Sequence, residues 1–176
     1  MTEQRVRYLR GRIRDVPDFP KQGIVFKDIT PLLADVEAFR TCLELMEERL
    51  DGESVDAVVG IESRGFMFGA ALASQLGVGF VPVRKPGKLP APTYRVEYDL
   101  EYGSDAVEIH QDALQPGNRV VVVDDLIATG GTAKATGALV RRCGAEVVAF
   151  VFVIGLVALE GAQKLAPQRV ITILDY

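Results

Sequence analysis

Three observations predict an α/β fold with a central, mainly parallel sheet flanked by helices. Short runs rich in valine and isoleucine alternate with longer segments of helical period, the pattern of strand–helix–strand crossovers. The runs are apolar throughout instead of alternating with polar residues, as strands covered on both faces require. A length of 176 residues suits one core, so residues 1–176 are expected to form one domain.

The elements follow in order. Residues 1–34 begin with arginines at 5, 7, 10, 12 and 14, read here as part of a helical hood. Residues 17–31, punctuated by proline and glycine, are expected to be irregular and to cap the sheet edge. Asp35 is the candidate cap of a helix whose apolar stripe is Val36, Phe39, Leu43, Met46 and Leu50, spaced by three, four, three and four residues. Central strands are expected at 57–61, 79–83, 119–123 and 147–154. Helices are expected from near Gly65 and from about Thr132 to Cys143, the latter stopped by Gly144. Residues 94–114 alternate polar with apolar around Gly103 and Ser104, which suggests a mobile two-stranded lid.

Composition narrows the function. With 48% apolar and 25% charged residues the chain is an ordinary globular protein. A net charge of -4 disfavours nucleic acid as a partner of the whole molecule but leaves local basic patches free to take small anions. Cys42 and Cys143 lie far apart in helical segments, without the spacing of a zinc site or redox pair, and are expected to be buried thiols. The single histidine, His110, excludes a multi-histidine metal site and is read as structural. The first residues lack a secretory signal's apolar run, and the longest apolar stretch, 147–159, is shorter than the roughly 20 residues a membrane helix needs. The expected setting is the cytoplasm, without a membrane partner.

The most informative run is Val120 to Val123 followed by Asp124, Asp125, Leu126, Ile127, Ala128, Thr129, Gly130, Gly131 and Thr132. A buried strand ends in paired acids and turns through glycines into a helix. Glycines let backbone N–H groups surround an anion, the helix adds the positive end of its dipole, and threonine hydroxyls donate further. Carboxylates only accept, so Asp124 and Asp125 suit the two neighbouring hydroxyls of a ribose. The two better-known phosphate loops fit poorly, because no lysine closes the turn and no Gly-x-Gly follows the strand. A plain strand-to-helix turn needs only one acid and one glycine. Two further segments have suitable chemistry: Glu62, Ser63, Arg64 and Gly65 form a second strand-to-helix turn with a forked cation, and Arg84, Lys85 and Lys88 cluster around Gly87 after a strand.

Residues 120–132 resemble the phosphoribosyl diphosphate signature of type I phosphoribosyltransferases. The resemblance narrows to the adenine-specific branch through residues 17–20, 23–28, 60–66, 84–90 and 100–103, five separated matches in the same order. It implies the fold of that family, with a hood over 1–34 and a flexible catalytic lid over 94–114. The implied reaction joins adenine to the sugar of phosphoribosyl diphosphate, giving AMP and pyrophosphate, with Mg2+ held mainly by substrate and water. It further implies that Ser63 and Arg64, after a cis peptide bond, bind pyrophosphate with Arg84, Lys85 and Lys88, and that Arg84 reaches the partner's site in a homodimer. Phe26 would stack on the base, backbone groups of Val25 and Lys27 would read its edge, and Leu156 would close its other face. Glu101 would handle the proton, with Tyr102 beside it. Two alternatives stay open: a transferase for another purine such as xanthine, and a regulator that senses phosphoribosyl diphosphate and binds nucleic acid through the N-terminal arginines.

Overall fold

In the computed structural model, which describes residues 2–99 and 103–176, the expected four strands are joined by a fifth. The parallel sheet runs β4 (Gly79–Val83), β3 (Ala57–Ile61), β7 (Arg119–Ile127), β8 (Glu146–Gly155) and β9 (Arg169–Asp175). Along β7 and β8 the side chains alternate between two cores. Val121, Val123, Val151 and Val153 enter one, and Val120, Val122, Phe150 and Phe152 enter the other. Because both faces are covered, no position in these runs tolerates a polar residue, which is why they read as unbroken apolar strings.

Three helices cover the first face: α1 (Thr2–Arg10), α3 (Val36–Glu48) and α4 (Gly65–Leu76). The short α2 (Thr30–Ala34) leads into α3. Asp35 caps α3 as expected, accepting from the amides of Glu37 at 3.0 Å and Ala38 at 3.1 Å. Leu43, Met46 and Leu50 are buried, each worth about 1.5–3 kcal/mol in a side chain removed from water. Val36 departs from the predicted stripe: it is 74% exposed at the first helical position, while Ala38 in the same turn is buried in its place. The second face carries α5 (Gly131–Arg142). Gly144 follows it with φ of 81°, the left-handed stop read from the sequence.

Two small antiparallel pairs complete the chain. β1 (Arg14–Pro17) pairs with β2 (Val25–Asp28), so the stretch 17–31 expected to be irregular supplies the connection and second strand of a hairpin. β5 (Thr93–Asp99) pairs with β6 (Ser104–His110) as a two-stranded excursion, and Val107 and Ile109 bury its stem in the second core. The apolar run expected through Leu159 stops as a strand at Gly155. Val157 and Leu159 lie exposed on the short turn Val157–Leu159, which a second turn, Gly161–Leu165, follows. Cys42 and Cys143 are free and buried, and burial pushes the Cys42 thiol up to about 12. His110 accepts at Nε2 from the Ala91 amide, 3.3 Å away. Among the described residues no helix is long and apolar enough to cross a membrane.

Candidate active site at the switch point of the sheet

Strand order locates the site. From β3 the chain goes through α4 to β4 on one side, whereas β7 lies on the other side of β3 and leads to β8 and β9. In an open parallel sheet, ligands enter at the carboxyl ends of the strands where this order reverses. The β3–α4 turn with Ser63 and Arg64, and the β7–α5 turn with residues 124–132, both open there.

No side chain caps α4, which starts after Arg64, or α5, which starts after Gly130. First-turn amides without a side-chain cap, at the positive end of a helix dipole, form a ready anion site, and here two such ends stand on adjacent strands; in α4 the Phe66 and Met67 amides donate to Ser63 O at 3.2 Å and Arg64 O at 3.3 Å. Gly130 takes φ of 78°, a conformation that favours glycine. Asp124, Ala128, Thr129, Gly130, Gly131 and Thr132 line one cavity of about 190 Å³, floored by Phe152. The bond between Glu62 and Ser63 is cis, as the resemblance implied.

The paired acids sit where protein atoms replace water. Asp124 accepts from the Asp125 amide at 2.8 Å, and Asp125 is 4% exposed. Burial and then the neighbouring Asp125 charge hold the Asp124 carboxyl well above the ordinary carboxylate range; burial also raises Asp125, opposed by Arg64. Arg64 Nε lies 3.0 Å from Asp125 Oδ2, yet that oxygen gains no well-aligned hydrogen bond among the described residues.

The basic turn after β4 is tied to its own chain. Arg84 Nε and Nη2 donate to Glu62 at 3.1 and 3.4 Å, and Nη1 donates to the Lys88 carbonyl at 3.1 Å. Burial pushes the Glu62 carboxyl up, but the Lys85 amide and Arg84 outweigh it and leave it below its usual range. Lys85 Nζ turns to Asp105 and to the Tyr98 hydroxyl, fastening this turn to the β5–β6 hairpin. The cluster read as free cations is thus partly neutralised within the chain.

On the hood side, Phe26 is half-buried under the Arg64 guanidinium, 5.0 Å from the ring centre, and Phe19 meets its edge at 5.2 Å. The ring is not simply core packing, since a planar cation rests on its face. Val25 is exposed, and Lys27 directs its ammonium to Asp15 at 2.7 Å and over the Tyr176 ring. Leu156 follows β8, its amide donating to Ile127 O at 2.9 Å beside the glycine loop. Glu101 and Tyr102 lie outside the described residues. The contact of Phe19 with Phe26 was not foreseen although Phe19 stands inside the matched residues 17–20; an aromatic between two prolines near Phe26 was the available signal. A larger cavity of about 420 Å³ lies at the other end of the sheet, beside Arg119, Arg169 and Glu53, whose charges are paired with one another.

Of the N-terminal arginines, Arg5 pairs with Glu48 at 2.8 Å, Arg12 with Asp35 at 2.7 Å and Arg14 with Asp28 at 2.9 Å. Arg10 lies over Tyr176. These contacts fasten the hood to the body and make a nucleic-acid surface a poor reading of that segment.

β7 continues past the expected end at 123 and carries both acids inside it before turning through glycines into α5, and a parallel sheet of this build is that of a phosphoribosyltransferase-type α/β domain. A family model described as phosphoribosyl transferase domain matches residues 30–174. A curated adenine phosphoribosyltransferase of Carboxydothermus hydrogenoformans is 58% identical over 168 residues, 96% of this chain and 99% of that protein. The crystal structure of adenine phosphoribosyltransferase from Thermoanaerobacter pseudethanolicus superposes with a TM-score of 0.95 at 50% identity, covering 97% of this chain and 99% of that one. That of Saccharomyces cerevisiae, complexed with an imino-altritol bisphosphate and adenine, gives 0.93 at 41% identity over 98% and 99%. The chain belongs to the adenine phosphoribosyltransferase family.

Proposed function

We propose that the protein transfers the 5-phosphoribosyl group of phosphoribosyl diphosphate to adenine, giving AMP and pyrophosphate in purine salvage. The observation that carries this reading is the pair of uncapped helix N-termini on adjacent strands, one beside Asp124 and Asp125 and the other beside Arg64. Two anion cradles flanking a diol acceptor match a sugar phosphorylated at one end and diphosphorylated at the other. The choice of adenine is supported by the family and by the yeast relative's complex with adenine.

In this reading Ala128 to Thr132 hold the 5'-phosphate, and Asp124 and Asp125 accept from the ribose hydroxyls. Ser63, Arg64, Arg84, Lys85 and Lys88 stabilise the departing pyrophosphate. Adenine lies between Phe26 and Leu156, its edge read by the backbone of Val25 and Lys27. As the anomeric bond to pyrophosphate breaks, the sugar gains oxocarbenium character and a ring nitrogen of adenine adds from the opposite face. The residues position and screen charge, so no covalent intermediate on the protein is needed. Glu101 accepts or returns the purine proton, with Tyr102 supporting it, and closure of residues 94–114 keeps water from the activated sugar.

The donor set fits Mg2+ held mostly through substrate oxygens and water, since two adjacent carboxylates serve such an ion without a protein cage. Asp124 and Asp125 would face its hydrated shell through the ribose, and the ion would neutralise the diphosphate. The active assembly is a homodimer in which Arg84, released from Glu62, serves the partner's site, and the enzyme works in the cytoplasm.

The test is pyrophosphate release from phosphoribosyl diphosphate with adenine or xanthine as acceptor. Adenine-dependent release is expected; release with xanthine alone would replace this reading with the other purine transferase.

A further inference from the structure

Behind the glycine loop the chain passes so close that two backbones touch. A Cβ built on Gly161 would fall 2.2 Å from Ala128 O and 2.8 Å from Gly130 N; one built on Gly130 would fall 2.4 Å from Gly161 O. These distances are far inside van der Waals contact, and the atoms met are backbone, which has no rotamer to yield. Gly161 is buried, opens the turn Gly161–Leu165, and follows Glu160 at φ of 53°. Five residues earlier Leu156 donates its amide to Ile127 O. Residues 156–161 therefore form a strap against the back of Ile127, Ala128 and Gly130, fixed by a hydrogen bond at one end and by bare glycine at the other.

We infer that Gly161 is a positioning residue for phosphoribosyl diphosphate: its missing side chain lets the strap hold the Ala128–Gly130 backbone in the curvature that turns the loop amides toward the 5'-phosphate. The inference rests on the proposed role of that loop. The phosphate lies away from the bond that breaks, so the loop grips ground state and transition state alike, and misplacing it raises KM without lowering kcat. Adenine meets the other end of the strap, at Leu156, and is spared.

The experiment compares Gly161→Ala, and a second variant with one glycine inserted after Glu160, by steady-state kinetics and thermal melting. The insertion loosens the contact without adding a side chain. Both are expected to raise KM for phosphoribosyl diphosphate about tenfold or more, the loss that follows when a charge-assisted hydrogen bond to the phosphate is removed. Turnover number and adenine KM should stay within about twofold. Thr132→Val, in the loop itself, separates the two claims. If it leaves KM for the diphosphate unchanged, the loop's role fails. If it raises that KM while either folded strap variant does not, the strap's role alone is overturned. Failure of both strap variants to fold would make Gly161 a core residue and also overturn the inference.

Discussion

Arg64 joins the two halves of the site: its Nε lies 3.0 Å from Asp125 Oδ2 while its guanidinium carbon lies 5.0 Å from the centre of the Phe26 ring. A planar, delocalised cation lies flat on an aromatic face while its edge presents forked donors to a carboxylate, a geometry a point charge does not reproduce. Arg64 also precedes the uncapped first turn of α4, where diphosphate oxygens would bind.

Arg64→Lys is accordingly expected to be far from conservative. A point charge loses the fork and the stack, and hydrogen bonds to charged groups are worth enough to lower kcat/KM for phosphoribosyl diphosphate about ten- to a hundredfold. Initial-rate kinetics at fixed adenine, with pyrophosphate as product inhibitor, would reveal it. Unaltered inhibition by pyrophosphate would remove Arg64 from that subsite.

The paired aspartates oppose stability at neutral pH and, on the proposed function, serve binding. A carboxyl raised in the folded state contributes stability that is full below its unfolded value, near 3.8, and is lost as pH rises through the raised one. Replacing both by Asn (Asp124→Asn with Asp125→Asn) should remove that loss and raise the melting temperature at neutral pH, while sharply weakening phosphoribosyl diphosphate binding. Affinity in the wild type should rise with pH over the same window, because an ionised carboxylate accepts from both hydroxyls of a diol more strongly than its protonated form does. Calorimetric titration and melting curves across pH provide both readouts. Undiminished affinity in the double variant would leave the diol without its acceptors.

Asp35 behaves in the opposite sense. Arg12 first, then the Ala38 amide and Tyr8, lower its carboxyl to about 2 from 3.8. A depressed carboxyl stabilises above its unfolded value and loses that contribution as pH falls from 3.8 through about 2. Asp35→Asn keeps the cap and loses the charge, so its melting temperature should change less than the wild type's across this acid window. Parallel curves for the two proteins would mean that Arg12 pairs there without consequence.

The sheet was legible because burial on both faces forces unbroken apolar runs, and the phosphate loop because its glycines and acids have few other uses together. β9 was harder to see: it is an edge strand in which half-buried Thr172 interrupts the run of Val170, Ile171, Ile173 and Leu174. The β1–β2 hairpin hid behind prolines and glycine, which signal turns but not what lies between them. Long-range pairing was invisible for a different reason. The attachment of Arg84 to Glu62, of Lys85 to Asp105 and of Arg64 to Asp125 depends on which loops the strand order makes neighbours. The Gly161 contact with residues 128 and 130 belongs with these, since a glycine gives no local sign that its missing side chain is what matters.

Gly65 tests the same kind of contact at the other turn. A Cβ there would lie 2.8 Å from Asp124 Oδ1, 2.8 Å from Val123 O and 3.0 Å from Asp124 Cα, so α4 can start against β7 only if position 65 is bare. Gly65→Ala must push the helix away or turn the Asp124 side chain, and overpacking of this kind costs about 1–3 kcal/mol. The displaced group is a proposed diol acceptor, so the loss should appear as weaker phosphoribosyl diphosphate binding as well as a lower melting temperature. Gly79→Ala is the matched control: nothing stands within 4 Å of its added carbon, and both measurements should be unmoved. Equal effects at 65 and 79 would show that close approach to Asp124 is not what position 65 provides.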